Sequence, residues 1–145
     1  MDSRLELALE LGATHVINTG KDDPASVVSS ITNGKGADYA VNATGTGKTI
    51  SMVLDCLSLF GKLAAIGSGG GASFDYLGAR TITGITEGWS MPREFIPQLI
   101  SFYQKGLFPF DKLVKFYDFE DINIAANDAL SGKTIKPVLL MGAKE

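Results

Sequence analysis

Helix-like and strand-like segments alternate along the first 66 residues, and this alternation constrains the fold more than any other feature. The predicted order is helix, strand, helix, strand, helix, strand, over Ser3–Gly12, Ala13–Asn18, Pro24–Asn33, Ala37–Asn42, Lys48–Leu59 and Gly61–Ile66. This rhythm is typical of a doubly wound parallel sheet, which usually opens with a strand and a glycine-rich turn. Here the sequence leads into a helix after Met1 and Asp2. We therefore expect an α/β fold: a partial, Rossmann-like doubly wound parallel sheet that lacks its first βαβ strands.

The remaining residues continue the alternation, and the 145 residues contain no repeat or linker, so we expect one domain over 1–145. The predicted segments are strand, helix, strand, helix and strand over Thr81–Thr86, Pro92–Lys105, Leu113–Tyr117, Phe119–Ser131 and Ile135–Met141. Pro97 predicts that the regular part of its helix starts late, and Pro137 that the last strand starts late or lies at an edge.

Capping signals mark two helix starts. Ser3 and Glu6 have the spacing of a capping box, which predicts Ser3 as an N-cap. Asp23 followed by Pro24 predicts a second N-cap, since proline fits the first position of a helix.

Composition excludes several functional classes. The net charge is −3 and no Lys/Arg cluster is present, so we expect no nucleic-acid partner. No apolar run is long enough for a membrane span, and the start lacks a signal-peptide profile, so we expect a cytoplasmic protein without a membrane partner. Cys56 and His15 are the only cysteine and histidine, too few for an internal disulfide or a usual structural zinc site. We expect no metal ligands and no catalytic residues, and a buried structural thiol at Cys56.

Two glycine-rich segments are candidate ligand loops. Asn42–Thr49 has the context of a phosphate-binding P-loop, but the motif requires glycine at the position of Asn42, so a tight strand-to-helix turn is favoured. Gly67–Ala72 matches G-x-G-x-x-A without a good helix after it, which favours a glycine-rich loop beside a ligand at a strand's carboxyl end. Lys133 and Lys136 flank a turn, either in solvent or facing a phosphate.

Several segments, in order, resemble the zinc-type alcohol dehydrogenases of the medium-chain dehydrogenase/reductase superfamily. Ser3–Asn18 is similar to the segment after that family's ribose-binding strand, and Gly36–Gly45 to its fourth nucleotide-binding strand. Glu94–Ile100 and Phe108–Asn123 resemble the aryl-alcohol dehydrogenase branch, and Ser131–Val138 the family's C-terminal stretch.

The resemblance implies a nicotinamide cofactor, NAD or NADP, and assigns residues to it. Arg4 matches a basic residue near the adenosine ribose, and Lys136 one near the pyrophosphate. The matches that line the cleft and the nicotinamide are Thr44, Gly45 and Thr46, then Ile66, Gly67 and Ser68, and finally Ile85 and Glu87, whose backbone meets the carboxamide. Zinc would belong to a catalytic domain that precedes these segments in the family.

The sequence therefore predicts the cofactor-binding portion of a zinc-dependent alcohol dehydrogenase, which transfers a hydride from an alcohol to NAD(P). We expect this chain alone to be inactive and to bind the dinucleotide weakly or not at all. The alternative is a non-catalytic, self-associating module. The resemblance implies a homo-oligomer formed through the sheet edge around 73–86, while a P-loop protein is disfavoured by Asn42.

Overall fold

The computed structural model describes residues 2–67 and 77–142, and their contacts divide the chain into two units, Met1–Ser90 and Met91–Glu145. The prediction of a single domain over 1–145 stays a prediction. No helix in the described part is long and apolar enough to cross a membrane.

Three parallel strands form the sheet of the first unit, in the order β1-β2-β3. The elements of this unit are α1 (Asp2–Glu10), α2 (Pro24–Ile31), β1 (Ala37–Asn42), α3 (Gly47–Cys56), β2 (Leu57–Ala65) and β3 (Thr81–Gly84), followed by a 3₁₀ turn at Glu87–Trp89. Strand β1 has the predicted bounds. The order of helices and parallel strands follows the predicted alternation, apart from Ala13–Asn18.

The core of the first unit lies on one face of the sheet. Leu54 of α3 packs with Leu57 and Leu63 of β2, and Ile50 and Val53 pack against this cluster. Burying these branched side chains stabilises the crossover from β1 through α3 to β2, at about 25 cal/mol for each Å² of apolar surface.

Strand β2 begins four residues earlier than predicted, because Leu57 leaves the helix for extended backbone at φ −79° and ψ 148°. Leu57 lies opposite Ala37, the register then shifts, and regular pairing resumes with Tyr39 opposite Lys62. Gly61 lies in the irregular part. A Cβ there would be 2.8 Å from the Leu57 Cβ and 3.0 Å from the Ala37 carbonyl oxygen, so the close approach requires glycine.

The strand predicted for Ala13–Asn18 is wrong, because no described strand lies beside it to form a ladder. Asn18 instead starts a turn: its Oδ1 accepts from the Gly20 N–H at 3.0 Å, and its carbonyl accepts from the Lys21 N–H at 2.8 Å.

The structure confirms one of the two predicted helix N-caps. Helix α1 begins at Asp2, so Ser3 lies inside its first turn and the predicted capping box is wrong. Asp23 is confirmed as the N-cap of α2, since its Oδ2 accepts from the Ser26 N–H at 3.0 Å and from the Ser26 hydroxyl at 2.6 Å. These two bonds stabilise the carboxylate and lower the pKa of Asp23.

The second unit contains a parallel pair of strands, with Val114 opposite Lys136 and Asp118 opposite Leu140. Its elements are α4 (Pro92–Gln104), β4 (Val114–Asp118), α5 (Ile122–Leu130) and β5 (Lys136–Leu140), with 3₁₀ turns at Phe110–Leu113 and Phe119–Asp121. Within the described residues Pro137 lies near the start of β5, an edge strand of this pair, as predicted. The expected late start of α4 is wrong, because Pro92 starts the helix and Pro97 lies inside it, where it leaves the Arg93 carbonyl without its helical donor.

A buried carboxylate links the elements of the second unit. Asp128 of α5 accepts a hydrogen bond from the Tyr117 hydroxyl of β4 at 2.8 Å, and the Tyr117 hydroxyl also contacts the Thr134 hydroxyl before β5. Lys133 Nζ lies 3.2 Å from one carboxylate oxygen and Lys115 Nζ 3.5 Å from the other. The Tyr117 hydrogen bond, aided by both lysines, holds the pKa of Asp128 below its ordinary value although burial opposes this.

We expect the second unit to lose stability in acid through Asp128. A carboxyl whose pKa is lowered by folding contributes stability above its unfolded pKa of about 4, and this contribution is lost as the pH falls through the folded pKa. Asp128→Asn should therefore flatten the acid side of a plot of urea midpoint against pH. Asp111→Asn, at an exposed carboxyl in the same unit, is the matched control. Equal acid sensitivity in wild type and Asp128→Asn would contradict this assignment.

Candidate functional site

The carboxyl ends of β1, β2 and β3 lie at one edge of the sheet, because the strands are parallel. Backbone hydrogen bonds continue past the strands: the Ile66 N–H donates to the Asn42 carbonyl at 2.9 Å, and the Ile85 N–H to the Ala65 carbonyl at 2.9 Å. This edge brings together six of the residues predicted to bind cofactor, here called the strand-end site: Thr44, Gly45, Thr46, Ile66, Gly67 and Ile85.

Asn42, which is only 4% exposed, organises the first of these loops. Its Oδ1 accepts from both the backbone N–H and the hydroxyl of Thr44, each at 2.9 Å. Its Nδ2 donates to Thr49 Oγ1 at 3.1 Å. The side chain therefore ties the end of β1 to the loop and to the first turn of α3.

In the sequence, Asn42 stands out only as the residue that breaks the P-loop pattern. An Asx turn, in which an asparagine side chain bonds the N–H two residues later, is the signal that could have identified its role. The strand–loop–helix context of a P-loop is present, but a buried side chain occupies the position where that motif requires glycine. This argues against the P-loop hypothesis.

Three threonine hydroxyls converge in front of α3. Thr49 Oγ1 donates to the Thr46 carbonyl at 2.8 Å, lies 2.9 Å from Thr46 Oγ1, and also contacts Thr44 Oγ1. These three side chains are uncharged and rich in hydroxyl groups, beside the positive end of a helix dipole and with exposed Lys48 in the same first turn of α3. Such a surface suits polar or anionic groups of a ligand.

The second loop of the strand-end site touches the first through glycine. A Cβ at Gly67 would be 2.3 Å from the Gly45 nitrogen and 2.7 Å from its Cα. Gly45 itself has φ +68°, in the left-handed region that favours glycine. The two backbones can approach this closely only because neither residue carries a side chain.

Past β3 the chain turns through left-handed backbone. Glu87, Gly88 and Trp89 have φ values of +55°, +69° and +48°. The turn places Glu87, an exposed residue predicted to bind the carboxamide, two positions beyond Ile85.

Three further predicted residues lie on other segments of the chain. Arg4 lies half-buried in α1. Lys136 is the first residue of β5, opposite Val114, in the second unit. Ser68 lies outside the described residues.

Metal-ligating and thiol side chains were the remaining candidates for chemistry in the described part of the chain. Among residues 2–67 and 77–142, no group of three or more His, Cys, Asp and Glu side chains could hold a metal ion. Cys56 donates through Sγ to the Met52 carbonyl at 3.3 Å, and partial burial, with nearby Asp55 and Asp23, raises the pKa of its thiol. A raised pKa disfavours the reactive thiolate, in line with a structural role.

The comparisons with known proteins identify the family. A family model described as "Zinc-binding dehydrogenase" matches residues 1–105. The chain therefore belongs to the zinc-binding dehydrogenases, and the resemblance to zinc-type alcohol dehydrogenases is confirmed.

Individual relatives support the same family assignment. The geraniol dehydrogenase of Castellaniella defragrans is 32% identical over 95% of this chain and 39% of its own length. A solved structure of benzyl alcohol dehydrogenase from Acinetobacter calcoaceticus has a TM-score of 0.92 and 44% identity, covering 98% of this chain and 41% of that one. An NAD-dependent alcohol dehydrogenase from Sulfurisphaera tokodaii is 38% identical over 46% of this chain and 19% of its own length. This chain thus spans about two-fifths of the first two relatives, and the predicted fold class is confirmed.

Replacing Asn42 with alanine should destabilise the first unit by roughly 1–3 kcal/mol. The substitution removes the partner of the part-buried Thr44 N–H and one of several bonds of the Thr49 hydroxyl, and it leaves a gap where a buried side chain lay; losing bonds of this kind costs about that much. Asn18→Ala is the matched control, because Asn18 bonds Gly20 and Asp2 where water can replace it. Urea unfolding followed by Trp89 fluorescence measures both variants. Equal losses for Asn42→Ala and Asn18→Ala would contradict the role given to Asn42.

Proposed function

We propose that this chain is the nicotinamide-dinucleotide-binding portion of a zinc-dependent alcohol dehydrogenase, which oxidises an alcohol to an aldehyde or ketone. The observation that carries the proposal is the strand-end site. It gathers the residues expected at the nicotinamide side of the cofactor at the carboxyl edge of a parallel sheet, the usual ligand position in open α/β sheets. Membership of the zinc-binding dehydrogenases supports the same reading.

The residues have separable roles in this proposal. Thr44, Gly45 and Thr46 line the cleft, and the Gly67 backbone, held against Gly45, supports one side of the nicotinamide. Ile85 and Glu87 present backbone groups to the carboxamide. By the same resemblance Ser68 also lies at the nicotinamide, Arg4 at the adenosine ribose and Lys136 at the pyrophosphate.

When bound, NAD or NADP would supply the hydride acceptor. The described residues bind and orient it; they provide no group to take a proton from an alcohol.

Zinc does not fit the described residues, as no cluster of ligands is present among them. We therefore assign them no part in holding zinc, and we propose that the chain by itself does not oxidise alcohols. Alcohol-dependent reduction of NAD or NADP, followed by absorbance of the reduced nicotinamide, would contradict this.

We expect the isolated chain to bind the nicotinamide half of the cofactor weakly and the adenine half more weakly still. In an amide NMR titration, nicotinamide mononucleotide should shift the signals of Gly45, Ile66, Gly67 and Ile85, because these backbones form the strand-end site. Adenosine monophosphate at the same concentration should shift them less. The Asn127 signal, from an exposed position in α5 of the second unit, is the internal control. Shifts confined to α5 would count against the strand-end site, and a dissociation constant in the micromolar range would contradict the expectation of weak binding.

A second candidate function, self-association, is favoured by the uncovered face of the β1–β3 sheet. The helices cover the face that carries Leu63, whereas Tyr39 and Val41 point to the other face and are 76% and 65% exposed. A shallow groove of about 300 Å³ runs along this open face. Apolar surface of this kind on a folded chain usually marks an interface.

The edge proposed for self-association lies around 73–86, of which 77–86 are described and include β3. Because the Ile85 N–H points towards β2, alternation along the strand directs the Gly84 N–H outwards. Gly84→Pro should therefore shift an oligomer towards monomer in light scattering, since proline removes an edge donor. Gly84→Ala is the matched control, because a Cβ there meets nothing within 4 Å. A monomeric wild-type chain at high concentration would rule out self-association.

A further inference from the structure

The turn that ends α2 contains a chemically labile pair, Asn33 and Gly34. It is the only asparagine–glycine pair in the sequence. Both residues are exposed and have left-handed backbone, with φ +52° at Asn33 and φ +83° at Gly34. A Cβ at Gly34 would meet nothing within 4 Å, so the space beside the Gly34 Cα is open.

An asparagine–glycine pair can deamidate without an enzyme. The Gly34 backbone nitrogen attacks Asn33 Cγ, a new C–N bond closes a five-membered succinimide, and the bond from Cγ to the amide nitrogen breaks. Ammonia leaves with the proton from the Gly34 nitrogen. Water then opens either C–N bond of the ring and gives aspartate or isoaspartate at position 33. Glycine favours the attack because it has no Cβ to obstruct ring closure.

The folded turn holds the attacking nitrogen in a hydrogen bond. The Gly34 N–H donates to the Ser29 carbonyl at 2.7 Å. Thr32 closes the turn around it: its hydroxyl donates to the Val28 carbonyl at 2.7 Å and accepts from the Gly36 N–H at 2.9 Å. The nitrogen can reach Asn33 Cγ only when these bonds open, so local opening of the turn controls the rate.

We propose that Asn33 is a deamidation site of this protein, gated by the Thr32 hydroxyl. The modification adds a negative charge and, as isoaspartate, lengthens the backbone just before β1. The chain there cannot absorb extra length, because Gly36 is packed so closely that a Cβ would lie 2.7 Å from the Ser58 nitrogen. Deamidation is irreversible, and its extent therefore increases with how often the α2–β1 turn opens.

The test follows deamidation of the full chain in mildly alkaline buffer by peptide mass spectrometry, with Asn33→Asp as the product standard. The readout is the deamidation rate at Asn33 divided by that at Asn18. Thr32→Val removes the hydroxyl at nearly constant shape, and Thr32→Ser keeps it. We expect Asn33 to react fastest of all the asparagines. The ratio should rise about fivefold in Thr32→Val, the factor that one hydrogen bond contributes, and stay within about twofold in Thr32→Ser.

The ratio separates local from global opening, because a variant that unfolds throughout also accelerates Asn18. Amide exchange at Gly34 should rise in Thr32→Val in parallel with deamidation. The proposal is overturned if Asn33 reacts no faster than Asn18 in the wild type. It is also overturned if Thr32→Val and Thr32→Ser have the same ratio.

Discussion

Parallel pairing of β1, β2 and β3 is the constraint on which the first unit depends. Parallel strands require a crossover between them, and α3 supplies it by burying Leu54 against Leu57 and Leu63. The same pairing brings three loops to one edge of the sheet. Once β1 and β2 are in register, the Ile66 and Gly67 amides both reach the Asn42 carbonyl, at 2.9 Å and 3.3 Å. The strand-end site is thus a consequence of the strand order.

Short polar side chains hold the loops at this edge, and glycines allow the loops to approach each other closely. Asn42 satisfies the groups left free where β1 ends, and the hydroxyls of Thr44, Thr46 and Thr49 bond one another. Gly45 and Gly67 let two loops touch. The geometry of this edge therefore depends on short side chains and on close contact between backbones.

Local sequence signals predicted secondary structure correctly where interactions within a few residues determine it. They failed where pairing with a distant strand determines it. Strand β1 and the Asp23 cap of α2 agree with prediction, because alternation and capping act within a few residues. The Ala13–Asn18 segment has strand-like residues, but no strand within residues 2–67 and 77–142 pairs with it, and a strand exists only when another pairs with it. Leu57 has helical neighbours in sequence, yet it joins β2 because Ala37 lies opposite it.

By itself the sequence determined the α/β class, since hydrophobic periodicity and turn signals lie along the chain, and its resemblance to the zinc-type alcohol dehydrogenases indicated the family and the residues expected at the nicotinamide. Only the tertiary structure decided which of those residues meet. It gathered Thr44, Gly67 and Ile85 at one edge, and it revealed the buried bonds of Asn42. It also linked Asp128 to Tyr117 and Thr134 in the second unit. The Asn42 bonds are local, to Thr44 and Thr49. The meeting of the three loops and the Asp128–Tyr117–Thr134 contacts involve residues distant in sequence, so they depend on strand register and packing, which no local pattern encodes.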